Sequence, residues 1–160
     1  MAATVPNVDE IKQHFKDSAL PSKGLFWSSA GTKGDWEYLS NAYALRPNVK
    51  RLTLDLLWKD EWYEQQTDNK TRTADEIHTF WDRASEAMAD LNSGVAYVLL
   101  PPTTNPTDWP SYSTWARVEY PTLTKSGTGV KKICKVAYNY QLNEYDPPFR
   151  IWPQVDTKQC

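Results

Sequence analysis

Trp27, Trp81 and Glu119 are the residues whose types best suit a defined chemistry. A tryptophan face attracts a flat, positively charged ring. A carboxylate beside a sugar stabilises the oxocarbenium-like cation that forms when a glycosidic bond breaks. The chain carries eight Trp and nine Tyr among 160 residues. That is more than a core of this size requires, and it fits a cleft that stacks flat rings or sugars. Trp81 and Ser85, in FWDRAS, stand four residues apart. On a helix they share a face, placing a ring beside a hydroxyl. Asp55, in RLTLDLL, supplies a second carboxylate. Read as a strand, 112–120 (YSTWARVEY) puts Trp115, Arg117 and Glu119 on one side, with the arginine as a cation next to the acid.

Other chemistries lack their residues. The two histidines, His14 and His78, and the two cysteines, Cys134 and Cys160, form no Cys–His catalytic pattern and no zinc spacing, so no metal is expected. The cysteines form either one bridge or two free thiols. A net charge of −2 gives no general pull toward nucleic acid or anionic membranes. Met1 to Pro6 shows no basic region followed by an apolar run, and no stretch approaches the ~18 apolar residues of a membrane span. The expectation is a soluble single domain over 1–160. Compartment and oligomeric state are not legible.

The elements that must hold these residues follow from periodicity. Residues 8–20 read as a helix with Val8, Ile11, Phe15 and Leu20 on one stripe, ended by Pro21. A short apolar run, Leu25 to Trp27, follows Gly24. Residues 35–45 read as a helix closed by Pro47, and 51–57 as a strand or a short loop segment. After the polar loop 66–73, Thr73 and Glu76 form a capping box. The helix it opens spans 74–91, with Ile77, Phe80, Trp81, Ala84, Met88 and Leu91 on one face, and Asn92-Ser93-Gly94 stops it. Residues 95–100 and 130–138 read as strands, and the Pro-rich stretch 101–111 as an irregular loop. The order implies an α/β fold, N-terminal helices packed with a small, mostly parallel sheet.

Four segments stand in a particular order: LFWSS (25–29), TLD (53–55), FWDRAS (80–85) leading to VAYVLLP, and STWARVEYPTL (113–123). This order resembles the ADP-ribosyl cyclase / NAD+ glycohydrolase family over roughly residues 24–123. The resemblance implies that Glu119 is the catalytic carboxylate and that Trp27 and Trp81 flank the nicotinamide-bearing ribose. It further implies that Asp55 recognises the carboxamide, and that Ser85 and the Ser28 segment contact phosphates. NAD+ would then be the substrate, with no cofactor and no metal. Trp115 or Trp36 would stack the adenine if it folds back for cyclisation. The chain departs from the family at Ser29, where an Arg is usual, and at Asp55, where a Glu is usual. The phosphate grip would therefore be rebuilt, from Arg117, Lys33 or Arg83, and the choice between hydrolysis and cyclisation stays open. Animal members also carry several disulfides, where this chain allows at most one.

Two other classes fit the same residues. One is a Trp-lined nucleotide- or sugar-binding module without turnover. The other is a retaining glycosidase using Asp55 and Glu119, which needs the two carboxyls about 5 Å apart.

Overall fold

The computed structural model describes residues 4–15, 23–29, 34–57, 61–154 and 159–160. Gly24 sets the first strand in place. A Cβ at this position would meet the Asn92 side chain at 2.0 Å, so a glycine here leaves room for the Asn92 amide to lie against the strand's backbone. The Asn92 amide in turn donates to Met88 O at 3.4 Å, at the end of the long helix. Strand β1 (Leu25–Trp27) follows, and pairs in parallel with β2 (Ser93–Leu100), Trp27 lying opposite Leu99. β2 pairs in parallel with β3 (Gly129–Asn139). The other edge of β3 takes two short antiparallel strands, β4 (Glu144–Tyr145) and β5 (Phe149–Trp152). The sheet is thus five-stranded, with a parallel centre.

Parallel strands need both faces covered. On one face Phe26, Ala96, Val98, Leu100 and Ile133 pack against α1 (Val8–Phe15) and α5 (Ala74–Leu91), which contribute Ile11, Phe15, Phe80, Ala84 and Met88. On the other face Leu25, Leu99, Val136 and Tyr138 pack against Trp36, Tyr43 and Ala44 of α2 (Trp36–Ala44). The pleat decides this split: Leu25 and Phe26, and Leu99 and Leu100, are neighbours that point to opposite faces.

The capping box is present as the sequence requires. Thr73 Oγ1 accepts from Glu76 N at 3.2 Å, and Glu76 Oε2 accepts from Thr73 N at 2.7 Å. α1 is described over Val8–Phe15, and the rest of the expected 8–20 helix lies outside the described residues. The segment 51–57 is neither of its expected forms throughout. Leu52 bridges Gly24, and the chain then turns into α3 (Leu54–Leu57), capped by Thr53 Oγ1 accepting from Leu56 N at 3.1 Å. α4 (Glu61–Thr67) follows. Cys134 and Cys160 are joined by a disulfide, which settles the open alternative. No helix among the described residues is long and apolar enough to cross a membrane.

The strand expected at 112–120 is a helix. Trp115–Glu119 form a π-helical turn that runs straight into α6 (Tyr120–Thr124), with Tyr120 N donating to Trp115 O. Pro121 supplies the physical reason. It has no N–H for the Arg117 carbonyl, and its ring would crowd that carbonyl in a regular α-turn. Widening the preceding turn by one residue relieves both.

Candidate active site

The π-helical turn decides which side chains meet. Four residues apart on a helix, Trp115 and Glu119 point the same way. Arg117, midway between, points elsewhere. Trp115 and Glu119 both line a cleft of about 450 Å³, at the carboxyl end of β1, within the usual size of a small-molecule site. Trp27, Ser28 and Ser29 continue from β1 into its wall, Asp55 enters from α3, and Trp81 and Ser85 come from one face of α5. Seven of the eight residues singled out from the sequence therefore converge: Trp27, Ser28, Asp55, Trp81, Ser85, Trp115 and Glu119.

The eighth, Arg117, does not line the cleft. Its guanidinium makes a bidentate pair with Asp82, both contacts at 3.1 Å, and its Nε donates to Tyr112 O at 3.0 Å. The expectation that it stands beside Glu119 on one strand face is corrected, because the segment is helical. Arg83 is also engaged elsewhere, donating to Val5 O at 2.9 Å and Pro6 O at 3.1 Å. Lys33 lies outside the described residues. Trp36 is not a cleft wall either. It is 2% exposed and packs edge-on against Tyr138 in the core.

Glu119 is the unusual group. It is 7% exposed, and its carboxylate accepts a hydrogen bond from the Ser85 side chain. Its Oε2 is fully buried and has no hydrogen-bond partner among the described residues. Its pKa is raised to about 8: burial raises it most, the Ser85 bond opposes that rise, and the negative charge of Asp82 adds to it. A buried carboxyl with one oxygen left unbonded costs stability unless a ligand uses it.

The rest of the wall is acidic and aromatic. Asp55 is held by Asn41, whose Nδ2 donates to Asp55 Oδ2 at 2.8 Å, while Thr53 Oγ1 donates to Asn41 Oδ1 at 2.6 Å. Glu37, one helical turn before Asn41 on α2, also lines the cleft. Desolvation, then the charges of Asp55 and Asp35, raise its pKa. Tyr63 of α4 meets the Trp81 ring edge-on at 5.4 Å, and burial foremost raises its pKa. Tyr112, Ser113 and Thr114 also line the cleft. Sequence reasoning missed Glu37, Tyr63 and Tyr112, which sit in helical or turn segments with no distinguishing pattern. The Trp115/Glu119/Leu123 spacing was the available signal for a helix at the centre of the site. Among the described residues no cluster of His, Cys, Asp and Glu could hold a metal ion.

The sequence matches no family model and no curated protein. Solved structures do match. One is an ADP-ribosyl cyclase complexed with N1-cIDPR, with a TM-score of 0.51 and 18% identity, covering 74% of this chain and 50% of that one. Another is a glutamate-to-alanine mutant of ADP-ribosyl cyclase, with a TM-score of 0.52 and 19% identity, covering 83% of this chain and 57% of that one. The chain thus spans about half the length of these structures. Its helices and mostly parallel five-stranded sheet have the ADP-ribosyl cyclase fold.

Proposed function

We propose that the protein cleaves the nicotinamide–ribose bond of NAD+. The observation that carries this reading is Glu119, a buried carboxyl with a free oxygen in an aromatic cleft shared with Trp27 and Trp81, on the ADP-ribosyl cyclase fold. The nicotinamide ring enters as a pyridinium cation and stacks against the indoles. Asp55, fixed by Asn41, accepts from the carboxamide N–H.

Its cationic ring draws the buried carboxyl toward its ionised form, because an opposite charge within a few ångströms favours the anion. The C1′–N bond then breaks and its electron pair leaves with neutral nicotinamide. The ribosyl cation left behind faces the Glu119 carboxylate, whose burial keeps the attraction strong. Water adds at C1′ and loses a proton, giving ADP-ribose. If instead an adenine nitrogen reaches C1′, a cyclic ADP-ribose forms. The substrate-contacting set is Trp27, Ser28, Asp55, Trp81, Ser85 and Trp115, with Glu119 catalytic. Arg117 lies outside that set, since Asp82 occupies its guanidinium.

The test is to incubate the protein with NAD+ and to resolve nicotinamide, ADP-ribose and cyclic products by chromatography, alongside Glu119→Gln. Nicotinamide release that disappears in the variant supports the reading. An absence of release from the wild type removes it. Release that survives in Glu119→Gln assigns the chemistry to another group.

A further inference from the structure

Arg117 is the residue whose sequence-derived role the structure redistributes, and its actual contacts join two walls of the cleft. One wall is α5, where Trp81 and Ser85 flank Asp82 and both line the cleft. The other is the turn carrying Tyr112, Ser113 and Thr114. Arg117 grips Asp82 with both terminal nitrogens and Tyr112 O with Nε. Its backbone N–H donates to Ser113 O at 3.0 Å. One guanidinium thus fixes the turn and ties it to the helix. Glu119, on the same π-helical turn as Arg117 and bonded to Ser85, sits where the two walls meet.

We propose that the Arg117–Asp82 pair is a positioning device, bracing the Tyr112–Thr114 wall against α5 and setting the electrostatic surroundings of Glu119. The fork geometry matters because only a planar guanidinium reaches a carboxylate with two nitrogens while its Nε serves a third acceptor. The charge matters because Asp82 is the charged group that acts on Glu119. Arg117 neutralises it from one side, and His78 Nε2 lies 3.6 Å from Asp82 Oδ2 on the exposed side. The other ionisable groups of the cleft are Glu37 on α2, Asp55 on α3, Tyr63 on α4 and Tyr112 on the turn.

The two halves of the pair give opposite signatures. Removing the arginine charge leaves Asp82 uncompensated, which pushes the Glu119 titration upward. Removing the aspartate charge pulls it downward. A purely structural strut would move both variants alike, or neither.

The inference rests on the proposed reading of Glu119, but its test does not require turnover. The Glu119 carboxyl is titrated by carbon-13 NMR in the substrate-free protein, its resonance being assigned by its loss in Glu119→Gln. The wild type is compared with Asp82→Asn, Arg117→Ala and Arg117→Lys. Amide hydrogen exchange at Tyr112, Ser113 and Thr114 is followed in parallel. The expected result is a midpoint about half a unit or more lower in Asp82→Asn and higher in Arg117→Ala, and near wild type in Arg117→Lys. Exchange at the turn should be faster in both arginine variants, because lysine restores the charge without the fork. Midpoints that stay put, or that move in the same direction in Asp82→Asn and Arg117→Ala, overturn the proposal. So does unchanged exchange in Arg117→Ala. If the wild type releases no nicotinamide from NAD+, the proposed function fails, and these titrations still decide whether the pair acts on Glu119.

Discussion

The Ser85 side chain donates to the carboxylate of Glu119, whose buried Oε2 is left without a partner among the described residues. Ser85 stands one helical turn after Trp81 on α5, and Glu119 one turn after Trp115 on the π-helical segment. The two side chains therefore meet where both helices present an indole to the cleft. The bond also favours the charged form of an acid that burial otherwise holds protonated.

Replacing Ser85 with alanine removes that favourable contact. The Glu119 pKa, already near 8, is expected to rise by about one unit, which corresponds to ~1.4 kcal/mol. At pH 7 a smaller share of the protein then carries the carboxylate, so kcat/KM for NAD+ should fall roughly tenfold, and the loss should shrink at pH 9. A rate profile measured from pH 6 to 10 checks it. A loss that is constant across that range would mean that Ser85 acts by something other than supporting the anion.

The pH dependence of the wild type follows from the same group. Glu119 stabilises a cation only when ionised, so kcat/KM should climb about tenfold per unit below the midpoint and level off above it, near pH 8. The limb seen in kcat should lie lower, because the bound pyridinium charge favours the anion. In Glu119→Gln the limb should vanish, with activity lower by on the order of 10³-fold or more. Initial-rate measurements of nicotinamide release across pH, in both proteins, test this.

The sequence carried these relationships unevenly. The long helix was legible because its face and its cap agree: Phe80, Ala84 and Met88 recur at helical spacing, and Thr73 with Glu76 marks the start. The buried strand VAYVLL was legible as an apolar run between turn residues. YSTWARVEY misleads, because Trp115, Arg117 and Glu119 alternate as a strand's residues would, next to β-branched Thr114 and Val118. What overrides the alternation is tertiary. Trp115 packs against Phe26, Trp109 and Tyr120, and Pro121 favours a widened helical turn over a continued strand. The misreading left Glu119 in the site, since 115 and 119 share a face in either geometry, and misplaced only Arg117. Glu37 escaped notice because its importance comes from Asp55 lying against α2 through Asn41, a contact between segments that no local pattern announces.

The disulfide should contribute measurably to stability. Cys134 is fully buried in β3, and its bond to Cys160 closes a segment 26 residues long in sequence. Constraining the unfolded chain over that span is worth roughly 3 kcal/mol. Urea denaturation of the wild type and of a Cys134→Ala/Cys160→Ala variant should differ by about that amount. The cleft residues lie elsewhere in the fold, so the variant should keep nicotinamide release at temperatures where it stays folded. A variant as stable as the wild type would show that packing of the tail, including the Phe149–Gln159 bridge, holds the terminus without the bond.

Glu119 should also make the protein less stable as pH rises. Its ordinary value is 4.5 and its folded value is about 8. Between those limits the folded protein keeps a proton that the unfolded chain has released, so ionisation is linked to unfolding. Stability from this group is complete below pH 4.5, declines as pH rises, and reaches its full loss above about 8. The size is bounded by that separation, on the order of 4 kcal/mol for a fully buried carboxyl. Glutamine cannot ionise, so Glu119→Gln should be close to the wild type at pH 5 and more stable by about 2–4 kcal/mol at pH 8.5. Urea titrations at the two pH values measure the difference directly. A gap that is the same at both would show that the destabilisation is steric, from an acid side chain packed too tightly, and not the electrostatic cost of holding a charge in the cleft.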